Sequence, residues 1–598
     1  MLISEHESRQ TESKSDYIPT QEEDDLCRRV EQMFSEAKRH RSRYDQNWLA
    51  YYKFFRGSQW GRERPSYRHA ECINFVFQTI QSQTPLLLDT RPRVEFVPTE
   101  PEDNEFAIVL NGIIESKWVA RNWLEVLAEV ILDGHLYGCG ISQVCWDKKA
   151  DLGIGDIDFE SCDPFYLYPD PMATDCNKKC RYIIKAEPLP IDYVKSLYPD
   201  QKEKIKSDIV DDRKGSVEGD LRKLQWRRPP SEQMPMQSVG DIAGDSQSKQ
   251  ECLLITAYFR DEQVKDDKDD EAGEFVRKKV YPRGRKVVIC SGAVLEDREN
   301  DYDDGEFPYE RFVNYILPRE FWGMSEVEQL ESPQRIFNKL VSFSLDVLTL
   351  MGNPVWIVAN DSGVDTENLY NRPGLIIEKN PGTEVLRQEG TQLQPYVMQL
   401  IDRMQTWFND VAGTQDVSRG ASPGSVTAAS AIMSLQEAAQ TRIREKARHL
   451  DLYLQCVGQH MASRFLQYYS APRVFRLTGN DNSQKYFKAR IETTDEGQKK
   501  VVTERWNAGA WEPAGDGEYV LRGKLDVQVA TGSTLPFAKA EKESRLLALF
   551  DRGIVDDEEV LRALDYPNYQ GVLARVNEKK AQAAQAQAEQ APQTQAQQ

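Results

Sequence analysis

Apolar positions recur along this chain mostly at helical spacing, broken by short stretches where the period falls to two. Residues 1–20 show no apolar period and are expected to be disordered. Thr20-Gln21-Glu22-Glu23 has the form of a capping box. Behind it Val30, Met33, Ala37, Tyr44, Trp48 and Tyr51 or Tyr52 keep a helical stripe, which predicts a helix over 21–55. A second helix is expected over 73–88, stopped by Arg91-Pro92, then a strand over 94–98. A third helix is expected over 106–132, carrying Leu110, Ile113, Ile114, Trp118, Val126, Leu127 and Val130. Strand-like alternation follows at 141–146 and 154–159. Two Asp-Pro steps within 163–175 favour turns, and the polar stretch 211–250 reads as a long mobile loop. Strands return at 252–259 and 286–290. The acidic runs 261–274 and 296–306 read as solvated loops.

The second half opens on Ser325-x-x-Glu328, another capping-box pattern, with Ser332-Pro333 as a second possible helix start. Ile336, Phe337, Leu340, Val341, Leu345 and Leu348 make one stripe that ends near Gly352-Asn353-Pro354. A turn-rich segment over 355–394 holds the short strands VWIVA and GLIIE, and a helix over 396–411 leads into a small-residue loop at 412–427. From 428 to 469 Ile432, Leu435, Ala439, Ile443, Leu450, Leu454, Val457, Met461 and Phe465 recur at spacings of a longer helix. At 1.5 Å per residue it would be about 63 Å long. Arg442, Arg444, Lys446 and Arg448 are assigned to its polar face. Strands are expected at 474–477, 486–491 and 525–530, then short helices around 540–551 and 557–564. The tail from Ala581 is an Ala/Gln low-complexity string.

Composition narrows the function. The 598 residues are enough for about four average domains and a large core, and 11 Trp, 25 Tyr and 22 Phe argue for a globular chain. Asp plus Glu number 96 against 76 Lys plus Arg, a formal charge of −20, so tight non-specific DNA binding over the whole surface is excluded. No apolar run approaches a membrane span. The polar N-terminus resembles neither a signal nor a transit peptide, and ten cysteines are expected as reduced thiols inside a cell.

Motifs for chemistry are scarce. There is no Walker motif, no H-E-x-x-H and no strand-to-helix G-x-G-x-x-G. Gly420-Ala421-Ser422-Pro423-Gly424 fits G-x-S-x-G, but the residue after the serine must donate a backbone N–H to an oxyanion, and Pro423 has none. His449 and His460 fall inside a predicted helix. Cys176-x-x-x-Cys180 has a tolerable zinc spacing, yet only one such pair qualifies; Cys139, Cys145 and Cys162 read as small buried hydrophobes in strands. Asp163, Asp170 and Asp175 suit turns better than a cation site. No cofactor, metal or catalytic residue is assigned.

An order of weaker signatures runs along nearly the whole chain: Trp48, Tyr52, Phe55, Gly57, Gln59 and Trp60; Asn74; Arg91-Pro92 before a strand ending in Pro98; the Gly138–Gly140 turn; Asp163-Pro164 and Asp170-Pro171; Trp322-Gly323-Met324-Ser325 before a helix bearing Gln334 and Asn338; and Ala429-Ser430-Ala431-Ile432 leading into LQEAAQTRIREKARHLD. In this order they resemble the portal proteins, the head-to-tail connectors, of tailed bacteriophages, in particular those of short-tailed phages.

The resemblance implies an α+β, mainly helical, elongated fold with small sheets that assembles as a ring of about twelve subunits around a DNA channel at one capsid vertex. Carried onto this chain, it makes 21–320 a wing, 321–352 and 394–411 two stem helices, and 353–393 a clip. It makes 412–427 a tunnel loop, 428–470 a long channel and wing helix, 471–535 wing strands, 536–578 a crown and 579–598 a tail. Ser418, Arg419, Gly420, Ser422, Gly424 and Ser425 of the loop would face DNA. Asp361, Asp365, Glu367, Arg372 and Glu378 of the clip would meet the terminase large subunit and then head-completion, adaptor and tail proteins. Scaffolding and major capsid proteins are the other implied partners, with no membrane. An acidic wall with few basic positions suits a channel through which DNA slides, because each neutralised phosphate adds affinity that slows translocation. The other reading is a capsid-associated hydrolase or nuclease that uses the cysteine or aspartate clusters.

Overall fold

The computed structural model describes residues 19–60, 65, 68–88, 93–97, 104–206, 251–268, 275–352, 355–369, 376–387, 394–413, 441–470, 472–478, 484–493, 499–507, 510–520, 526–530, 546–553, 555, 560–561, 572 and 575. Eight α-helices among the described residues carry most of the architecture. They are α1 (Gln21–Phe55), α2 (Phe75–Leu88), α3 (Asn104–Ala120), α4 (Trp123–Tyr137), α5 (Ile191–Leu197), α6 (Glu326–Gly352), α7 (Pro395–Ala412) and α8 (Thr441–Tyr468).

The first helix starts where its cap dictates. Thr20 Oγ1 accepts from the Glu23 N–H and the Glu23 carboxylate accepts from the Thr20 N–H, so two otherwise orphaned donors are satisfied together. The expected helix over 106–132 is instead two. Asn122 sits in the left-handed region at φ 52° between α3 and α4, a conformation Asn tolerates better than most residues, and the apolar stripe continues on both sides of the break.

Among the described residues all strand pairs are antiparallel. The largest sheet has the order β10 (Ala293–Glu299), β9 (Arg285–Cys290), β6 (Glu251–Phe259), β5 (Tyr182–Pro190), β4 (Leu167–Pro169). One face takes Leu26, Cys27, Val30 and Ala37 of α1; the other packs on Ile191 and Val194 of α5. A three-stranded sheet, β11 (Tyr309–Val313), β2 (Cys139–Asp147), β3 (Asp156–Cys162), packs one face, with Val144, Phe159 and Phe312, against both α4 and α8. A third sheet runs β14 (Arg473–Thr478), β15 (Gln484–Thr493), β16 (Lys499–Asn507), β17 (Ala510–Val520). Neither β16 nor β17 is expected from the sequence, where charged residues break up the apolar alternation. Smaller pairs join β1 (Arg93–Val97) to β18 (Asp526–Ala530), β7 (Val264–Lys268) to β8 (Phe275–Lys279), and β12 (Trp356–Val358) to β13 (Val385–Arg387). The fold is thus α+β, helices with small sheets, as expected.

Several expectations change. The acidic runs are not solvated loops throughout. The Asp261 carboxylate is buried between Arg29 and Arg285, and Asp301 pairs with Lys286 and Arg298. Buried carboxylates persist because each meets a guanidinium or ammonium. The sixth helix begins at Glu326 and runs through Pro333 rather than restarting there. Residues 376–380 of GLIIE and its flank are not in a strand; VWIVA pairs with 385–387 instead. The helix expected over 428–469 is present from Thr441 to Tyr468, and residues 428–440 lie outside the described residues. Residues 1–18 of the N-terminus expected to be disordered, the expected 211–250 loop and the Ala/Gln tail also lie outside them. Helical residues at 546–551 and 560–561 fall within the two short helices expected there. Among the described residues no helix is long and apolar enough to cross a membrane.

Candidate functional site

Phe75 at the start of α2 meets Phe337 in the first half of α6 edge to face, with ring centroids 4.9 Å apart, and meets Phe408 near the end of α7 at a tilt, at 5.4 Å. Phe337 lies 15 residues before the end of α6 and Phe408 13 residues after the start of α7, so one ring touching both makes α6 and α7 an antiparallel hairpin. Their far ends are joined by the segment expected to be the clip.

The root of this hairpin gathers the scattered signature residues. Gln59 Nε2 donates to Asn74 Oδ1 at 3.1 Å, and Asn338 Nδ2 donates to Gln59 Oε1 at 2.5 Å. Gln334 Nε2 donates to the Ile73 carbonyl at 2.7 Å, while the Phe75 N–H donates back to Gln334 Oε1 at 3.1 Å. Asn338 Oδ1 accepts from the Ile73 N–H at 3.3 Å. Two amide side chains of α6 therefore satisfy the backbone that leads into α2, and Asn74 satisfies the carbonyl of Phe55 at the end of α1. Buried amides of this kind are stable only when paired this fully.

Beside them Trp48 meets Trp322 edge to face at 4.7 Å. The two glycine turns of the signature touch each other. Gly138 (φ 87°) closes α4 and Gly323 (φ 70°) precedes α6, and a Cβ built on Gly138 would lie 2.9 Å from the Gly323 backbone. Both positions require a left-handed backbone and no side chain. Ser325 completes the junction: its one Oγ–H donates to the Leu136 carbonyl at 2.7 Å, with the His135 carbonyl also in reach at 3.0 Å, and its oxygen accepts from the Val327 N–H, which caps α6.

One helical turn further in lies a buried charge network. Lys446 Nζ of α8 donates to Glu326 Oε2 and to Gln83 Oε1, each at 2.6 Å, and Gln83 Nε2 donates to Glu326 Oε1 at 3.2 Å. The Lys446 ammonium also lies 4.7 Å from the Tyr315 ring centroid. His135 Nδ1–H donates to Asn314 Oδ1 at 3.0 Å. Burial raises the Glu326 carboxyl, but Lys446 and then His135 more than reverse this, and its pKa falls to about 2. Burial first, then Lys446, pushes the His135 imidazole down to about 3. The network ties α2, α4, the segment just after β11, α6 and α8 together at the root of the hairpin. Lys446 was expected on the polar face of the long helix; it is 1% exposed. It stands three residues after Ile443 and four before Leu450, in register with the apolar stripe. That register is the signal that could have found it.

The hairpin also turns apolar side chains outward along its length: Ile336, Phe343 and Leu348 on α6, and Tyr396, Met398, Trp407 and Val411 on α7. Beyond it, Asp361, Asp365, Glu367 and Glu378 of the expected clip are all exposed. Asp365 accepts from the Glu367 N–H at 3.0 Å, and Asn380 holds the turn to the Asp361 carbonyl at 2.9 Å. Arg372 lies outside the described residues. So do Ser418, Arg419, Gly420, Ser422, Gly424 and Ser425 of the expected tunnel loop; only its start is described, where Gly413 caps α7 with its N–H on the Asn409 and Asp410 carbonyls.

The clusters that favoured an enzyme have other uses. Asp163, Asp170 and Asp175 each accept a backbone N–H two residues on, as turn residues do, and Asp170 also holds Arg181 through two bonds of 2.6 and 2.8 Å. Cys139, Cys162, Cys176 and Cys180 are buried in one apolar cluster. Burial pushes the Cys139, Cys145, Cys162 and Cys180 thiols up to about 12 and Cys176 well above its ordinary value. At neutral pH these are thiols, not the thiolates that attack or ligate. His449 and His460 do lie within a helix, α8.

The comparisons with known proteins agree with the signature residues at the hairpin root. Curated proteins compared with the chain yield no match. A family model does match, and it covers all of the elements described above except the first ten residues of α1. Matched over residues 31–598 to the model for the phage P22-like portal protein, the chain belongs to the P22-like portal protein family.

Proposed function

We propose that copies of this chain pack side by side through the α6–α7 hairpin into a closed ring of about twelve subunits at one capsid vertex, around a channel for double-stranded DNA. The observation that carries this reading is the outward apolar face of the hairpin, Phe343 and Trp407 above all, in a chain of the portal family. A root locked by Glu326–Lys446 and Gln59–Asn338 holds that face at a set angle, and exposed large apolar groups on a rigid helix pair mark an interface.

In this reading 21–320 with 428–535 forms the wing, α6 and α7 the stem, 353–393 the clip, 412–427 the tunnel loop and 536–578 the crown. The clip carboxylates Asp361, Asp365, Glu367 and Glu378, with Arg372, dock the terminase large subunit during packaging and the adaptor and tail proteins afterwards. Scaffolding and major capsid proteins contact the wing. Arg419 adds one thin basic ring to an otherwise acidic channel, each copy making a solvated and weak contact to phosphate. The role is structural, with no catalytic step assigned to the chain.

Charge reversal at the clip tests the docking. With Asp365→Lys and Glu367→Lys together, rings should form as before while packaging of DNA in an in vitro assay drops at least about tenfold, in line with the cost of placing like charges across an interface. Normal packaging with failed rings would make the segment a subunit contact and overturn the assignment. Arg419→Ala should leave rings intact and alter DNA retention most at low salt, where screening is weakest.

A further inference from the structure

The loop between β10 and β11 meets α8 at a charged cluster that the proposed function leaves unused. Asp304 and Glu306 come from the loop, Glu310 from β11, and His460 and Arg464 from adjacent turns of α8. His460 is 1% exposed. Its Nε2–H donates to Glu310 Oε1 at 2.9 Å, and Asn177 Nδ2 donates to the same carboxylate oxygen at 2.9 Å. In the neutral ring that bond leaves Nδ1 as a bare lone pair, and no hydrogen bond reaches it. Nδ1 faces Asp304 Oδ2 at 3.8 Å and Glu306 Oε2 at 3.9 Å. Arg464 Nη1 already donates to Asp304 Oδ2, but no donor bonds Nδ1, and its lone pair and the Glu306 carboxylate repel unless a cation sits between them.

We propose that this is a zinc-binding site, with His460 Nδ1, Asp304 and Glu306 as the protein ligands and water completing the shell. All three ligand atoms lie within 4.8 Å of one another. In a tetrahedral zinc site, with bonds of about 2.0–2.2 Å, ligand atoms stand about 3.3–3.6 Å apart. Asp304 and Glu306 therefore need to draw in by a few tenths of an ångström toward His460 Nδ1 and by up to about 1.2 Å toward each other, a side-chain movement within reach of two residues on a loop. Imidazole with two carboxylates suits zinc better than magnesium or calcium, which favour shells of oxygen alone. Glu310 stands where an orienting carboxylate stands behind a metal-bound histidine, fixing the tautomer and directing the lone pair.

Charge points the same way. Three carboxylates against the single Arg464 guanidinium, which pairs with Asp304, leave two negative charges beside a neutral imidazole, and a divalent ion cancels them. The competing occupant is a proton. Burial pushes the His460 imidazole down while Asp304 and Glu310 raise it, to a net value above its ordinary one. An Nδ1–H would still point at carboxylates too far away to accept a good hydrogen bond. Bound zinc would staple the loop to α8 where Gln467 Nε2 and the Tyr468 hydroxyl already donate to the Asp301 carbonyl.

The test uses the full chain, passed through a chelator, exchanged into metal-free buffer and titrated with zinc chloride by calorimetry at pH 7.5. Elemental analysis after gel filtration gives the stoichiometry. One zinc per chain is expected, with affinity at least about tenfold weaker in Glu306→Gln and at pH 6, where protons compete for Nδ1. The Glu306 side chain is 41% exposed, so Glu306→Gln should keep the circular dichroism and the zinc-free melting temperature of the parent, a result that separates loss of a ligand from loss of fold. Zinc bound equally by parent and variant would place it elsewhere, and no zinc in the parent would give the site to the proton; either result overturns the proposal.

Discussion

The root of the α6–α7 hairpin and its outer half belong to the same two helices and solve opposite problems. At the root charge is inside: Glu326 and Lys446 are buried and bonded to each other, to Gln83 and, through Asn314, to His135. In the outer half apolar surface is outside: Phe343, Leu348, Tyr396 and Met398 are all more than half exposed. A buried ion pair adds little net stability over an apolar replacement but fixes one arrangement, because any shift strands a charge. An exposed apolar stripe stabilises nothing within one chain. The root is therefore finished within the subunit, while the outer half is one side of a contact that another copy must complete.

The largest effect should come from breaking the root. Lys446→Met leaves Glu326 buried without its cation and should cost about 3–5 kcal/mol, read from denaturant unfolding. Adding Glu326→Gln should recover much of that loss. If Lys446→Met alone is neutral, the pair does not hold the hairpin.

Acid should weaken the same place. The His135 imidazole is depressed from 6.5 to about 3 in the fold, so below pH 6.5 the unfolded chain takes up a proton that the folded chain refuses. Its contribution is fully present above pH 6.5 and lost as the pH falls toward 3. Glu326, depressed from 4.5 to about 2, adds a second loss between those values. Unfolding free energies at pH 7, 5 and 4 should decline more steeply for the parent than for His135→Gln. Parallel declines would remove His135 from the account.

On the outward apolar face the effect on the single chain should be small. Trp407→Glu replaces a half-exposed ring and should change subunit stability by no more than about 0.5 kcal/mol, yet abolish the assembled species in light scattering. An assembled variant would show that this face is not the contact.

How much of this was legible depends on the physics each region uses. Long amphipathic segments announce themselves, and α1 and α7 fall within a residue or so of the expected 21–55 and 396–411. Their caps, Thr20 with Glu23 and the glycine at 413, are local devices. The break at Asn122 was hidden because one left-handed residue leaves the apolar stripe intact on both sides. Strands β16 and β17 were hidden by their charged residues. The root was half legible. Gln59, Asn74, Gln334 and Asn338 stood out only through the family resemblance, since about 260 residues separate Phe75 from Gln334. Lys446, His460 and Arg464 carried a local sign, charge in register with an apolar stripe, which usually marks the edge of a helix face and here marks its centre.

Light scattering and negative-stain imaging of the purified full chain at micromolar concentration and physiological salt bear most directly on the central claim. Closed rings with a central hole are expected, at a mass about twelve times the 68.7 kDa of one chain. A persistent species of one chain mass, with its hairpin apolar face left in water, would contradict it.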